Sequence, residues 1–538
     1  MLSFRTICRN IFSNWAGFIV HALIAFFLTP FVLHQLGDAR YGVWALVMSI
    51  TGYYGLIDLG LRSGLTQYIT RYLARQDYDQ MNRSASTGFV VLALLGLIVF
   101  LTSCCLAFAA RLIFKIPIEV EAEVAWCIFI VGSGTAVQFW FFPFSSVFVA
   151  TQRYDLSNAI GIFTRVLTAL AIVGCLTRGY GLVAVSLATA ISNLVDYLLR
   201  WRIAKRILPQ FRISPRLFGR AYFREFVGYG TWTFICHSTV QAAKSSGPII
   251  IGLFLPIGVI GKYSLALTAV KLYEGFLGPA ARVFYPVATN MDATGDIQGL
   301  RRVYITGTRM LLLVAILIGF LGNAFATDFF RLWIGEKALE NAHGSIPGTF
   351  RVLLLSAAIT ASQSIGAQIL FGRREVRKLA WMACVYATTY LVLSVGLTPR
   401  FGIMGVALAA AISAFVVSVA IYPYVCCRCL GLTIKQYARE AYVRPVVLLI
   451  LLLQFHWFKD AILPQPTTWL TFALMGLATF VPALALAMVV VLTPSERSLA
   501  SEKIMKRFRR NGSRWSHSAP LPTWLFITVK QILARFSR

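Results

Sequence analysis

Long apolar segments separated by short polar stretches follow one another along most of the 538-residue chain. Most are 19 to 28 residues long, and at about 1.5 Å per residue a helix of that length crosses roughly 30 Å of hydrocarbon. They do not alternate with a period of two, as membrane-barrel strands do. The pattern predicts an all-α polytopic membrane protein with about 14 transmembrane helices. The helices are expected near 11–33, 42–70, 85–110, 122–150, 157–177, 180–199, 226–254, 261–288, 304–327, 347–371, 377–397, 402–427, 443–458 and 468–492.

Composition agrees with a lipid environment. Apolar residues make up 58% of the chain and charged residues 13%, about half the charged share of a soluble domain. The formal net charge is nevertheless +29, which in a soluble chain would indicate nucleic acid. Here the basic residues stand between apolar runs, so a soluble enzyme is a poor fit to the sequence and no nucleic-acid partner is expected.

The distribution of the basic residues predicts the orientation in the membrane. Of the 50 Lys and Arg residues, 34 fall in the two termini and in the loops on the same side, and eight fall in the opposite loops. The positive-inside rule therefore places both termini in the cytoplasm, and we expect a multi-pass protein of the cytoplasmic (inner) membrane. Orientation in the membrane therefore accounts for most of the net positive charge.

An internal repeat predicts the domain organisation. Residues 175–192 and 396–413 are identical at nine of eighteen positions, and the turn at 37–42 corresponds to 258–264. The repeat predicts two six-helix bundles related by a pseudo-twofold axis along the membrane normal. Two such bundles around a cleft are typical of a transporter, and a scaffold or receptor is the alternative. The predicted parts are an N-terminal lobe at 1–206, a basic cytoplasmic linker at 207–224, a C-terminal lobe at 225–430, two additional helices at 431–493 and a basic cytoplasmic tail at 494–538.

The tail carries apolar residues among basic ones, which predicts an amphipathic helix on anionic membrane lipids. A solvated, disordered tail is the alternative.

Eight basic residues lie within predicted spans. Lys262, Arg309 and Arg351 are near helix ends, where their side chains can reach the interface. A charge nearer a helix centre costs roughly 3 kcal/mol on insertion scales, so the other five require an explanation. These are Arg62, Arg165, Lys244, Lys271 and Arg282.

Two carboxylates in the spans offer local partners. Asp58 stands four residues before Arg62, and Glu274 stands three residues after Lys271. With those pairs neutralised, the surplus cations are expected in a shared cavity that suits an anionic ligand. The surplus comprises Arg165, Lys244 and Arg282.

Small and polar residues accompany these charges. Gly275 and Gly278 share one helix face with Lys271 and Arg282, and glycines flank Asp58 in the second helix. Such faces either line a cavity or pack closely against another helix, and the accompanying cations favour a cavity. On the seventh helix we expect a polar stripe, ended by a break at Gly247-Pro248. The stripe comprises His237, Gln241 and Lys244.

The loops carry no motif for enzymatic chemistry. They contain no Walker sequence, no catalytic carboxylate pair and no His-Glu metal motif, and they are too short to form a catalytic domain. We therefore expect no enzyme activity, no metal and no cofactor, with H⁺ or Na⁺ as the candidate coupling ions.

The N-terminal region resembles a known family. Its most specific parts are the Leu36-Gly37…Tyr41-Gly42 turn and the Leu56-Ile57-Asp58-Leu59-Gly60 segment. These resemble the polysaccharide-transporter family, which includes the Wzx-type flippases, of the multidrug/oligosaccharidyl-lipid/polysaccharide (MOP) exporter superfamily. With the repeat, the resemblance covers about residues 1–430.

The resemblance implies a flippase for an undecaprenyl-pyrophosphate-linked oligosaccharide, working by alternating access in surface polysaccharide (O-antigen or exopolysaccharide) synthesis. A polysaccharide polymerase or chain-length machinery is the expected protein partner. A cation-coupled multidrug or metabolite exporter of the same superfamily is the alternative function. The first helix lacks the intramembrane arginine–aspartate pair of lipid II flippases, which argues against lipid II as cargo. The expected substrate-binding residues are Arg62, Lys244, Lys271 and Arg282, then Arg165, with Asp58 and Glu274 holding or releasing these cations.

Overall fold

The computed structural model describes residues 4–58, 60–114, 116–219, 222, 231–336, 344–462, 465–492 and 496. These ranges are helical and contain no strand. Within them, ten helical segments are long and apolar enough to cross a membrane. The predicted all-α, multi-pass class is confirmed, and the count of 14 is approximate. Most of the tail, 494–538, lies outside the described residues, as do parts of the linker.

The first half of the chain forms six long helices and one shorter one. Two short 3₁₀ turns, Ile118–Val120 and Pro215–Leu217, connect them. The helices are α1 (Phe4–Tyr54), α2 (Leu61–Ala74), α3 (Tyr78–Ile113), α4 (Glu121–Ala150), α5 (Tyr154–Thr177), α6 (Leu182–Ile207) and α7 (Thr231–Phe254). A kink divides α1 into two helices at Gly37, whose φ of 75° and ψ of 170° are not helical.

The second half contains more interruptions. Two π-helical segments, Val416–Ile421 and Ala438–Tyr442, connect some of its helices. The helices are α8 (Ile257–Arg282), α9 (Phe284–Ala293), α10 (Ile297–Ala324), α11 (Ala326–Ile334), α12 (Ile346–Ala361), α13 (Ser364–Gly372), α14 (Val376–Phe401), α15 (Ile403–Phe415), α16 (Tyr422–Leu430), α17 (Ile434–Tyr437), α18 (Val443–Ile462) and α19 (Trp469–Val490).

These helices form two compact units. The first comprises Met1–Phe276, Ala326–Thr360 and Glu375–Ile421, and the second comprises Leu277–Phe325, Ala361–Arg374 and Tyr422–Arg538. In the first, α4 packs on α3 and α6, α5 on α1 and α6, and α7 on α1 and α14. The two predicted lobes stay a prediction, because the first unit contains residues from both.

In the second unit α10 packs against α18 and α19, and α9 against α13. Phe320, Leu448, Leu452 and Ala487 belong to the apolar core of this unit. The two helices predicted beyond the repeat therefore contribute to a packed core.

Three helix boundaries differ from the prediction. The span predicted at 42–70 is interrupted between α1 and α2, where Gly60 adopts a left-handed φ of 75°. The span predicted at 261–288 ends at Arg282 and is followed by the separate helix α9. The expected break at Gly247-Pro248 is wrong, since α7 continues through Pro248 to Phe254.

The basic residue Arg309 was expected to reach the membrane interface, and that prediction is wrong. It is 7% exposed on α10 and forms an ion pair with Glu496. A buried guanidinium needs such a partner, because an unpaired buried charge is strongly destabilising.

Two corresponding turns of the predicted repeat meet in the first unit. A Cβ added at Gly42 would clash with the carbonyl oxygen of Ile257, and one added at Gly261 would lie 2.9 Å from the ring of Tyr41. Lys262 Nζ pairs with Asp38 Oδ2 at 3.3 Å across the same contact. Contact between corresponding segments is what a pseudo-twofold axis produces.

Candidate functional site

The interruption between α1 and α2 places two charged side chains together. After Tyr54 the chain forms single turns, and the Gly60 amide donates a hydrogen bond to Asp58 Oδ1 at 2.9 Å. This ends one helix and begins α2 at Leu61 within a span predicted as continuous. Arg62 in the first turn of α2 pairs with Asp58, Nε to Oδ2 at 3.3 Å.

Arg62 is also held by two aromatic rings of α4. Its guanidinium carbon lies 4.2 Å from the ring centroid of Phe139 and 5.0 Å from that of Phe142. A cation over an aromatic face is stabilised by the ring quadrupole, more strongly when water is excluded. Because the Arg62 side chain is only 20% exposed, its position is fixed by these contacts.

A cavity of about 650 Å³ opens beside this pair. The polar stripe predicted on α7, His237, Gln241 and Lys244, faces it. Its lining combines polar, aromatic and charged groups in a volume that suits a small organic ligand. The remaining lining residues are Thr51, Gly52, Gly55, Leu56, Asp58, Gly60, Arg62, Thr135, Gln138, Phe139, Phe234, Ser238 and Val240.

A second cavity of about 560 Å³ shares Arg62 with the first. Gln67, Thr70 and Arg71 of α2 line it together with Phe142. Arg62 is therefore accessible from two cavities that lie along the same helix.

The carboxylate Glu274 pairs across helices. Its Oε2 lies 2.8 Å from Lys244 Nζ, so it neutralises a residue of α7 rather than Lys271, its neighbour on α8. The expectation that Lys244 is an unpaired cation is therefore wrong. The pairing of Asp58 with Arg62 is confirmed.

The other predicted cations lie outside the cavity lining. Lys271 on α8 and Arg165 on α5 are exposed and belong to the first unit. Arg282 is the last residue of α8, is exposed and belongs to the second unit. Within the first unit the structure thus brings together Arg62, Asp58 and Lys244 at one cavity.

The glycines of these helices divide between the two roles that the sequence left open. A Cβ at Gly52 would clash with the Ser245 hydroxyl, and one at Gly275 would clash with the Phe18 ring, so both serve close packing. A Cβ added at Gly55 would meet only the Gly52 carbonyl oxygen, at 3.7 Å, and Gly55 lines the cavity.

Sequence reasoning missed the contribution of α4. Gln138 is a polar side chain in the middle of an apolar span, and that contrast is a signal that could have indicated it. Phe139 and Phe142 have no such signal, because aromatic residues are common throughout the spans.

Comparison with known proteins identifies the family. The model of the family described as "Polysaccharide biosynthesis protein" matches residues 7–292, more than half of the chain. The chain belongs to this family. The resemblance to polysaccharide transporters of the MOP superfamily is thereby confirmed.

Similar proteins and similar folds extend over most of the chain. The uncharacterized membrane protein EpsK of Bacillus subtilis (strain 168) is 21% identical over 513 residues, 93% of this chain and 98% of EpsK. A candidate O-antigen transporter of Shigella flexneri is 22% identical over 437 residues, 75% of this chain and 94% of its own length. The lipid II flippase MurJ in an inward closed conformation has a TM-score of 0.67 at 13% identity, covering 90% of this chain and 99% of MurJ. The fold is thus that of a membrane transporter.

Proposed function

We propose that this protein is a flippase for a lipid-linked oligosaccharide, with a carrier of the undecaprenyl-pyrophosphate type. It moves its cargo from the cytoplasmic to the outer leaflet of the inner membrane by alternating access. The observation that carries the proposal is the cavity beside the interrupted helix, where Arg62 and Lys244 face polar and aromatic side chains. Sugars are bound by hydrogen-bonding side chains and aromatic faces, and the lining of this cavity supplies both.

The interruption itself supports an anionic cargo. Discontinuous helices in transporters direct the positive ends of their dipoles at anionic groups of the substrate. Here α2 begins at Leu61, and Asp58, Gly60 and Arg62 at its start all line the cavity.

The family and its relatives support the same class of cargo. The family is described by polysaccharide biosynthesis, and the Shigella relative is named for O-antigen transport. A polymerase or chain-length protein that receives the glycan is the corresponding partner. The distribution of basic residues supports cytoplasmic termini.

A cationic drug is a poorer fit to the same cavity. Such a ligand needs a carboxylate that no cation of the protein neutralises. Asp58 is paired with Arg62, and Glu274 is paired with Lys244.

The test is complementation of a deletion strain, with surface glycan measured on cells and protein quantified in the membrane. Lys244→Ala is expected to reduce surface glycan strongly at unchanged protein abundance. Lys378→Ala is the matched control, because Lys378 also pairs with a glutamate, Glu375, at 3.0 Å but away from the cavity lining. Full glycan in the Lys244→Ala strain would contradict the cavity assignment, and full glycan in the deletion strain would contradict the function.

A further inference from the structure

Residues 208–219 form a strap that leaves the end of α6 and lies against the first turns of α3. The side chain of Asn82 on α3 binds the strap backbone at two points. Its Nδ2 donates to the Gln210 carbonyl oxygen at 3.0 Å, and its Oδ1 accepts from the Arg212 amide at 2.9 Å. Because the Asn82 amide satisfies one backbone acceptor and one backbone donor, it fixes both the position and the direction of the strap.

Two hydroxyls about one turn further along α3 bind the rest of the strap. The Ser214 amide donates to Ser86 Oγ, and the Gly219 amide donates to Thr87 Oγ1, each at 3.0 Å. Both hydroxyl residues are fully buried. Buried polar groups in folded proteins have hydrogen-bond partners, so the strap backbone belongs to the packed structure of the first unit.

Apolar side chains anchor the start of the strap. Phe211 is fully buried, and its ring centroid lies 5.9 Å from that of Phe144 on α4. Leu208 is 6% exposed. With its start buried and its backbone bonded along its length, the strap carries its outward-facing side chains on a fixed support.

The exposed side chains of this region are rich in cations. Between residues 197 and 224 the chain carries eight basic residues and no acidic one. The nearest preceding carboxylate, Asp196, already pairs with Arg200 at 2.6 Å. Five further cations are exposed, and among the described residues none of them forms a salt bridge. They are Arg202, Lys205 and Arg206 at the end of α6 and Arg212 and Arg216 on the strap.

These cations are expected at the level of the lipid headgroups. The part of α6 before Arg200 is about 27 Å long at 1.5 Å per residue, close to the roughly 30 Å of hydrocarbon in a bilayer. The residues after it therefore reach the interface, on the side that the distribution of basic residues assigns to the cytoplasm. Trp201 and Phe218 are 38% and 46% exposed there, and exposed aromatic residues are typical of a membrane interface.

The spacing of the charges on α6 favours an external anion. Arg202, Lys205 and Arg206 stand at i, i+3 and i+4, so they share one helix face. Like charges at this spacing repel and destabilise a helix. A phosphate group that contacts them removes the repulsion, because its oxygens accept charge-assisted hydrogen bonds from guanidinium and ammonium groups.

We propose that the end of α6 and the strap form a binding surface for the headgroups of anionic phospholipids, such as phosphatidylglycerol, in the cytoplasmic leaflet. Basic residues close to an anionic membrane surface each add to the attraction. An acidic protein segment is the other anion that such a charge attracts. Trp201 and Phe218 favour lipid, since aromatic side chains beside cations insert at the headgroup level. This surface concerns the surrounding lipid and not the transported cargo, so it goes beyond the proposed function.

The test is native mass spectrometry of the purified full-length protein in a non-ionic detergent, with phosphatidylglycerol and phosphatidylcholine of identical acyl chains as probes. The wild type is expected to bind phosphatidylglycerol about tenfold more tightly or better. Arg212→Gln combined with Arg216→Gln is expected to reduce that preference about fivefold or more. Lys435→Gln combined with Arg439→Gln is the matched control. It also removes two exposed cations four residues apart, but beside the acidic Glu440, and is expected to change nothing.

A second variant tests the strap without changing any charge. Asn82→Ala removes both hydrogen bonds to the strap backbone, and is expected to reduce the preference for phosphatidylglycerol about threefold. Asn158→Ala is the matched control, because Asn158 also makes two hydrogen bonds, to Asn14 and Ser13, away from the strap. A normal preference in Asn82→Ala would overturn the role of the strap.

The outcomes separate the two kinds of anion. Equal binding of the two lipids by the wild type, or an unchanged preference in the variant that lacks Arg212 and Arg216, overturns the lipid surface. Polyglutamate is the probe for an acidic protein segment. Equal binding of the lipids together with polyglutamate binding that requires Arg212 and Arg216 would assign the surface to a protein instead. A cooperative thermal unfolding transition shows that each variant is folded, and loss of the flippase function would leave these measurements unaffected.

Discussion

The indole N–H of Trp333 donates a hydrogen bond to the backbone carbonyl oxygen of Phe26 at 2.7 Å. The reason lies four residues further along α1. Pro30 has no amide hydrogen, so it cannot donate to Phe26 as a helical residue would. Trp333 on α11 is 5% exposed and supplies the missing donor, which fastens α11 to the first helix at its proline.

This relationship predicts a conditional effect on stability. Trp333→Phe keeps an aromatic ring against Phe26 but removes the donor, and is expected to lower the free energy of unfolding by about 1–3 kcal/mol. In a Pro30→Ala background the amide of the introduced alanine can bond to Phe26, so the same change should cost much less. Unfolding in mixed micelles measures both. Trp126→Phe, an exposed tryptophan of α4, is the control, and equal costs in the two backgrounds would show that the hydrogen bond contributes nothing.

The contact between the turns at 37–42 and 258–264 predicts that a side chain at Gly42 would clash. Gly42→Ala places a methyl group against the carbonyl oxygen of Ile257, and is expected to destabilise the protein by about 1–3 kcal/mol through backbone shifts. Gly396→Ala is the matched control, because a Cβ there meets nothing within 4 Å. Thermal unfolding of both variants measures the difference. Equal midpoints for the two would refute the close contact.

The contact of the Arg62 guanidinium with the rings of Phe139 and Phe142 predicts that lysine cannot replace Arg62. Arg62→Lys keeps the charge but loses the planar contact with Phe139 and Phe142, which is worth about 1–2 kcal/mol. Surface glycan is expected to fall by about five- to thirtyfold at normal protein abundance. Arg83→Lys is the matched control, because Arg83 also pairs with an aspartate four residues earlier but is exposed. Full glycan with Arg62→Lys would show that only the charge matters.

The buried ion pair of the second unit predicts a large loss of stability. Glu496→Ala leaves the Arg309 guanidinium buried without its partner, and is expected to cost about 3–5 kcal/mol. Adding Arg309→Met should recover most of the loss, since no charge then remains buried. Glu375→Ala, which removes the partner of the exposed Lys378, is expected to cost less than about 1 kcal/mol. A double variant as unstable as Glu496→Ala alone would contradict this account.

The membrane spans and the pair of Asp58 with Arg62 follow from the sequence, because hydropathy and i,i+4 spacing are local properties. The ion-pair partner of Glu274 cannot be deduced from the sequence. Lys271 on the same helix is the nearer basic residue along the chain, and only the packing of α7 beside α8 brings Lys244 within 2.8 Å of Glu274. The prediction for Arg309 is wrong for the same reason, because its partner Glu496 lies 187 residues further along the chain.

The sequence indicates the break before α2 only in part. Gly55 and Gly60 are among the glycines that flank Asp58, but glycines also occur inside helices, as Gly52 does. Gly60 is left-handed and its amide donates to Asp58, and a Cβ added there would lie 3.1 Å from Phe234 Cβ. The proximity of Phe234, 174 residues along the chain, has no signature in a single sequence.

The contact between the two turns is asymmetric in its charges. The sequence correspondence, with one inserted residue in the second turn, places Val259 opposite Asp38 and Lys262 opposite Arg40. An exact twofold axis would produce an acid–base contact on each side of the turns. Asp38 and Lys262 form such a contact on one side. On the other side Val259 carries no charge, and Arg40 pairs with Glu123 on α4 at 2.8 Å.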